Sequence, residues 1–548
     1  ADKAEAQEKE RCISEGVDVL VRNLGTNQRT VNTKCVVSHF KENSLKLLTA
    51  DKEGGFVVVG DALFSEKSRQ AIEKHFRLVH PVSLPRIKTQ TKSLCQRLEL
   101  ATLVKKVQAS KKLNLSVFFT AKTHKTGCPF RAIVTERDSW QREVGGFLCR
   151  HLSVLKLGDP FLVRNSEEII EFLHSGDLRG TKGFSIDVED LFYSVPHDQM
   201  LVAVQTCIED NGEVQFRSST GITVEGFLEL LTHYLRYTLV SFEGELFVQK
   251  RGICIGSKVA PVLCEIFLAS CDRAIEKVLE QNHRLTIFRY VDFLVLNSDP
   301  VDLNEDKTVS GVLEVFKSCA AGLSFTHETA SSGRLQFLDL GLFFEGDHVC
   351  WAYEPRSKKK LLPYDSAHSK LVKRGIASSC MAASLKKSCP HNMNSSFQSQ
   401  LVRLQDVGFP PRVLCDVAEG LVKKLKRLGR GEQAEGARRE SRPVVMPYVH
   451  KVSHNLKKVA NRFRIPVVFS APNKLSALCK TINKKEESGE VEGVCNKRHA
   501  TKFRECAIGV TYEIPLSCGR VYVGQTGRCI NDRIREHSAA TRQSPSGH

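Results

Sequence analysis

At 548 residues the chain is too long for one compact core and is expected to fold as about two to four domains. Eighty Lys and Arg against 62 Asp and Glu give a formal charge of +18, which favours a polyanionic partner such as nucleic acid. No run of about 18 apolar residues occurs, nor a charged leader ahead of an apolar stretch, so a spanning helix, a secretory signal and a membrane role are not expected.

The first residues, Ala1 to Glu5, lack an initiator Met, and a fragment is expected on that ground. The 19 Cys, an odd number without a secretory signal, are read mostly as reduced thiols in a nuclear or cytoplasmic compartment. Residues 1–110 read as helical and basic, interrupted where Gly54-Gly55 leads into the β-branched run Phe56 to Val59, a loop entering a short strand. Residues 115–135 carry two strand-like runs around a Gly127-Cys128-Pro129 turn. That hairpin would gather Lys122, Lys125 and Arg131 into a cationic surface able to grip phosphates, or simply a solvated basic one.

Two segments then deliver a carboxylate from an apolar strand. In Gly183 to Phe192 the strand ends at Asp187, and in Arg289 to Leu296 Asp292 stands between two apolar runs at a hairpin tip. A single such Asp is an ordinary turn former; two of them suggest a shared cation site, because burial beside apolar strands costs free energy unless a positive charge meets it. Between them, Gln249 to Ser257 is a glycine-punctuated loop that runs into a helix. The stripe Val259, Val262, Leu263, Ile266, Phe267, Cys271, Ala274 and Val278 marks that helix, with Ser257 as the expected N-cap and Pro261 in its first turn. Phe192, five residues past Asp187, reads either as a platform for a sugar ring or as core.

Beyond residue 350 the chain is basic and mixed, with an amphipathic segment near His368 to Leu385, and Lys423 to Glu440 reads as a charged linker. Near the C-terminus, Gly509 to Ile514 and Arg520 to Gly524 are strands around Pro515 to Gly519. A turn centred on Ser517 would set Tyr512 opposite Tyr522, and a helix is expected over Ile530 to His537. Cys495, His499, Cys506 and Cys518 supply the donors of a Cys₃His zinc site, or three unligated cysteines and a surface His.

The order of these elements resembles the reverse transcriptase of Penelope-like retroelements. The residues that carry the resemblance are Ala121 to Lys125 with Pro129 and Arg131, Asp187 to Pro196, Gln249 to Pro261, Tyr290-Val291-Asp292, Gly322 to Glu328 and Leu335 to Asp339. The C-terminal Val510-Thr511-Tyr512 and Tyr522-Val523-Gly524 are similar to the GIY-YIG endonucleases attached to many such elements. The resemblance implies an α+β right-hand polymerase: a helical, basic region at 1–110, fingers and palm at 111–350, a thumb at 351–422 and a linker at 423–494. A partial GIY-YIG α/β domain would occupy 495–548.

It further implies an RNA-directed DNA polymerase of a transposable element, a nucleotidyltransferase acting on RNA template, DNA primer or target DNA and dNTPs. Two Mg²⁺ ions would be held by Asp187 and Asp292. Lys122 and Arg131 would clamp the triphosphate, Phe192 would be the steric gate, and Gln249, Gly256 and Tyr290 would line the nucleotide and template side. Tyr512 and Tyr522 would orient water, and Arg533 would stabilise a phosphate transition state.

Two departures stand out. The family places a second Asp where this chain has Phe293, which weakens metal binding, and no carboxylate follows Glu536 before His548, so the nuclease's metal ligand is expected beyond this sequence. A decayed copy that binds nucleic acid without turnover, or a nuclease-centred protein, are the competing expectations.

Overall fold

The computed structural model describes residues 6–23, 33–79, 82–176, 178–280, 284–298, 305–344, 348–355, 361–429, 443–449, 452–471, 475–483, 499, 501, 503–517, 519 and 521–542. The chain divides into two compact units, Ala1–Ile482 and Asn483–His548.

Strands β1 (Leu45–Ala50), β2 (Phe56–Gly60), β3 (Phe76–Leu78), β4 (Leu115–Ala121), β5 (Phe130–Thr135) and β6 (Lys182–Val188) come first. They are followed by β7 (Leu239–Phe242), β8 (Glu245–Gln249), β9 (Leu285–Tyr290), β10 (Asp292–Asn297), β11 (Phe325–Thr329), β12 (Arg334–Phe337), β13 (Leu340–Phe343) and β14 (Cys350–Tyr353). One sheet runs β2-β1-β4-β7-β8-β3 with β5 beside β4, a second runs β11-β6-β10-β9, and a third runs β12-β13-β14. The β4–β5 hairpin is where the sequence places it. In β5 Phe130, Ala132 and Val134 are buried while Arg131, Ile133 and Thr135 are half-buried, the period-two pattern of a strand with one face in a core.

The two central strands of the four-stranded sheet, β6 and β10, bury apolar residues on both faces. Phe184, Ile186, Phe293 and Val295 pack into a large core with the helices Trp140–Leu152, His197–Asn211, Val224–Arg236 and Ala260–Leu279. Leu294 and Leu296 project the other way, into a core shared with Leu335, Leu340, Leu342, Trp351 and the helix Ser166–Ser175. A strand buried on both sides reads as a continuous apolar run, and Phe293 to Leu296 is one.

The helix expected after the glycine loop spans Ala260–Leu279, with Pro261 in its first turn as expected. Its N-cap is Val259, not Ser257. The Ser257 hydroxyl is buried against Tyr234, at 2.5 Å, and accepts from the Val259 N–H at 3.3 Å, so it closes the loop two residues before the N-cap. Val278, at the far end of the stripe, is exposed.

Downstream, the helices Lys370–Lys386, Met393–Gln405 and Pro411–Gly429 share a separate core around Met381, Leu404, Phe409 and Leu414. Residues Lys423 to Gly429, expected as linker, continue the last of these helices. Its basic residues Lys423, Lys424 and Lys426 are exposed while Leu421 is buried, the solvated face of an amphipathic helix. Two short parallel strands, β15 (Val444–Pro447) and β16 (Val467–Ser470), complete this unit. The C-terminal unit pairs β17 (Ile508–Pro515) with β18 (Val521–Cys529) and adds the helix Ile530–Arg542. Among the described residues no helix is long and apolar enough to cross a membrane.

Candidate functional site

Strand register brings the two sequence-marked carboxylates together. Phe293 pairs with Ile186, and Leu294 with Ser185, across the antiparallel β6–β10 ladder. Carried one residue toward the hairpin, that register sets Asp292 opposite Asp187. Opposed residues of an antiparallel pair project from the same face with Cβ atoms about 4.5–5.5 Å apart. Asp187 is exposed and Asp292 half-buried.

The same alternation sends Phe293 the other way. It is 1% exposed, its ring edge-on to Phe316 at 4.8 Å. Position 293 therefore points into the core, away from the carboxylate face. Glu328 is a group the sequence reading left unassigned: Thr326 pairs with Asp187 and Glu328 with Ser185, so Glu328, exposed, stands on the carboxylate face of the neighbouring strand.

The hairpin tip is tight. Tyr290 pairs with Asp292, leaving Val291 alone at the turn with φ 69°. A β-branched residue in the left-handed region is strained, at a cost of about 1–3 kcal/mol. Tyr290 is 46% exposed beside it. Behind the tip, the Arg289 guanidinium is buried and donates to both Asp272 and Asp159. Burial pushes the Asp272 carboxyl up, against the pull of Arg289. The backbone of Arg289 is also tied to the preceding loop, accepting from Val163 N–H at 3.0 Å and donating to Phe161 O at 2.6 Å. This pins β9, and with it the carboxylate hairpin.

Lys122 and Arg131 sit where β4 and β5 leave their hairpin. Burial lowers the Lys122 pKa, with the Arg131 charge adding to the effect. Its Nζ lies 3.7 Å from Asp190, three residues beyond Asp187, so the lysine just past β4 reaches the segment that carries the first carboxylate. Asp190 also pairs with Lys74 at 2.5 Å. Burial acts to raise the Asp190 pKa, but the Lys74 hydrogen bond and the Lys74 and Lys122 charges outweigh it and hold the carboxyl below its usual range. Arg131 is clasped by Asp51, at 3.0 Å and 2.8 Å to its two oxygens. Asp51 lies in the Gly54-Gly55 loop, which carried no functional signal in the sequence; only the fold brings it beside Arg131.

The glycine loop is stitched to its surroundings rather than open. Gly256 has φ +101°, and a Cβ there would lie 2.1 Å from the Val134 carbonyl oxygen, so only glycine fits against β5. The Gln249 side chain is buried, with its amide donating to Arg251 O at 2.9 Å and its oxygen accepting from the Cys254 thiol at 2.6 Å. Gln249 thus shapes the loop instead of lining an open face. Phe192 is half-buried against the large core, and its carbonyl accepts from Ile253 N–H at 2.5 Å. Next to it, Tyr193 stacks on His75 with ring centroids 4.0 Å apart, and burial lowers the His75 pKa to about 4.

In the C-terminal unit the register differs from the expected one. Tyr512 pairs with Gly524 and Tyr522 with Ile514, because Pro515 pairs with Val521 and so centres the register one residue past Ser517. A shift of two pairing positions keeps both tyrosines on one face, now as diagonal neighbours with ring centroids 6.4 Å apart. Gly524 makes room for them: a Cβ there would lie 2.7 Å from the Tyr512 ring and 3.0 Å from that of Tyr522. The Tyr512 hydroxyl meets His537 Nε2 at 2.8 Å and accepts from Arg533 Nε at 3.0 Å. Glu536 pairs with Arg533 and Arg528, whose hydrogen bonds lower its pKa. His499, Cys506 and Cys529 form a group with the spacing of metal donors. Cys529 was not anticipated from the sequence; Cys495 and Cys518 lie outside the described residues.

No family model matches the chain, and no curated protein matches it. Solved structures similar to it include apo telomerase from Candida tropicalis truncated from its C-terminal domain, at 14% identity over 58% of this chain with TM-score 0.41. This chain spans 65% of that one. Telomerase from Candida albicans in complex with a TWJ fragment of telomeric RNA is 12% identical over 78% of this chain and 72% of its own, with TM-score 0.47. The BmCPV RNA-dependent RNA polymerase at quiescent state is 12% identical over 62% of this chain and 31% of its own, with TM-score 0.35.

Proposed function

We propose that the chain is a nucleic-acid polymerase, an RNA-directed DNA polymerase of a Penelope-like element. The observation that carries this reading is the pairing of Asp187 with Asp292 on an accessible face of a rigidly backed sheet, with Lys122 held beside the same strand end. Hard carboxylate oxygens at one face suit Mg²⁺, and two divalent ions bound there would activate a primer 3′-hydroxyl and neutralise the leaving pyrophosphate.

The chain's own residues do the rest. Arg289, locked between Asp159 and Asp272, fixes the hairpin so that Asp292 stays in register with Asp187. Lys122 and Arg131 supply positive charge for a triphosphate; Arg131 would exchange part of its contact with Asp51 for phosphate oxygens, as a planar guanidinium can. Phe192 lies where the Asp187 segment turns into its short helix and would support the sugar. Tyr290, exposed at the tip, would line the nucleotide and template side.

Phe293 supports a second reading, a copy that binds RNA and primer but turns over weakly, because the position that carries the second Asp in the family here faces the core. The test is Mg²⁺-dependent extension of a DNA primer on an RNA template, with Asp187→Ala as control. Extension that Asp187→Ala abolishes supports polymerase activity; binding without extension supports the second reading; neither binding nor extension overturns both.

For the C-terminal unit we infer a GIY-YIG-like phosphodiesterase half-site, in which Tyr512, hydrogen-bonded by His537 and Arg533, would orient water and Arg533 would meet the phosphate. Binding of short duplex DNA that weakens on Arg533→Ala would support it, and unchanged binding would count against it.

A further inference from the structure

A four-residue cluster shares no member with the carboxylate pair. His348 and Cys350 flank Val349 at the entry to β14, and Cys389 and His391 flank Pro390 in the turn between the helices Lys370–Lys386 and Met393–Gln405. Residues two apart on an extended strand point to the same side. Val349 and Trp351 fill the core beneath the three-stranded sheet, and Cys350, half-buried, packs at the edge of that core beside His348. The turn is brought to them by the backbone, with Cys389 N–H donating to Trp351 O at 3.0 Å.

The donor atoms converge. His348 Nε2 lies 3.2 Å from Cys350 Sγ and 3.2 Å from His391 Nδ1, and Cys350 Sγ lies 3.8 Å from His391 Nδ1. All four donor atoms, that of Cys389 included, fall within 4.8 Å of one another. Zinc–sulfur and zinc–nitrogen bonds of about 2.3 and 2.0–2.1 Å at tetrahedral angles give donor–donor edges of roughly 3.3–3.8 Å. The separations of 3.2, 3.2 and 3.8 Å among His348, Cys350 and His391 lie near those edges. Hydrogen bonding alone accounts for the arrangement poorly, since two imidazole nitrogens and two thiols crowd a single point with few protons aimed correctly among them.

We propose that His348, Cys350, Cys389 and His391 form a structural Cys₂His₂ zinc site. Four protein donors leave no open position, and Cys389 is fully buried, which is the pattern of a structural rather than a catalytic ion. The mixed thiolate and imidazole set selects zinc over the magnesium suited to Asp187 and Asp292. The ion would clip the turn between two helices to the edge of the three-stranded sheet, fixing how the helical bundle is mounted on that sheet. This holds whether or not the chain extends primers.

The test uses the full chain carrying Cys506→Ser and Cys529→Ser, which removes the C-terminal donor group. After gel filtration in the presence of a mild chelator, elemental analysis should find about one zinc per chain. That zinc should be lost in Cys389→Ser and in His391→Ala and retained in Cys415→Ser, a thiol exposed on another helix. Should Cys389→Ser fail to fold, the Co²⁺-loaded background protein decides: it should show the visible bands of tetrahedral cobalt with charge transfer from two thiolates. Metal-free background protein, a cobalt spectrum without thiolate charge transfer, or a Cys350–Cys389 disulfide in the intact mass would each overturn the proposal.

Discussion

Inserting an Asp between Asp292 and Phe293 should restore Mg²⁺-dependent primer extension better than Phe293→Asp does. The structure gives the two changes very different costs. Phe293 is fully buried, packed edge-on against Phe316, and removing such a ring from a core costs about 3–5 kcal/mol. The new carboxylate would be buried as well. The Arg289 guanidinium lies 6.0 Å from the Phe293 ring but is already shared by Asp159 and Asp272. An uncompensated charge there adds several kcal/mol more, so Phe293→Asp should melt far below the parent and add no ligand to the exposed face.

An inserted Asp meets neither penalty. If the strand holds its pairing, the tip grows from Val291 alone to Val291-Asp292 and the new Asp takes the place opposite Asp187. A two-residue hairpin tip is the commonest kind. If the strand slips instead, Phe293, Leu294 and Val295 move into sites vacated by other apolar residues. Primer extension on an RNA template, with thermal unfolding on the same preparations, separates the variants. The parent should be near background, the insertion variant clearly above it, and Asp187→Ala should silence the repaired protein. Better rescue by Phe293→Asp would refute the packing argument, and robust extension by the parent would show that the second carboxylate is dispensable.

Replacing Arg289 by Met leaves two carboxylates buried without their cation and should cost about 3–5 kcal/mol in urea unfolding; a loss under about 1 kcal/mol would mean that the hairpin is not pinned from behind. Lys122→Ala should raise the KM for dNTP roughly tenfold with template affinity little changed, whereas an equal loss of both would place Lys122 on the template instead. Binding to template–primer should weaken steeply as salt rises, as counterion release requires of a chain with net charge +18; salt-independent binding would contradict the polyanion reading. His75 is held neutral in the fold, with a pKa lowered from 6.5 to about 4 by burial. The unfolded chain therefore binds more protons between those values, and stability should fall as pH drops from about 6.5 to 4, by about 2 kcal/mol after allowing for partial exposure. A His75→Gln variant whose stability changes with pH as the parent's does would remove His75 as the cause.

The carboxylates and the basic hairpin were legible because each rests on local pattern: an apolar strand ends at Asp187, Asp292 stands between two apolar runs, and the Gly127-Cys128-Pro129 turn folds Lys122 toward Arg131. Their partners were not legible. Asp51, Asp159 and Asp272 pair with arginines far along the chain, and nothing in the residues around them marks that. The His348 and Cys389 groups are each only a pair of donors with one residue between, too little to read as a metal motif until β14 and the helical turn meet. The register of β17 and β18 was misplaced by two because loop length, not residue type, centres that turn, and Gly524 then decides where the tyrosines fit.

The β10 strand, apolar toward both of its cores, has a consequence for the life of such a gene. A strand whose neighbouring positions are interchangeable accepts the loss of one codon beside it without exposing anything that chaperones or proteases would recognise. A copy altered at the hairpin tip would then still fold and persist. If the chain is the polymerase proposed above and its cationic surfaces hold RNA and primer, such a copy would withhold them from intact copies and act as a titrating competitor.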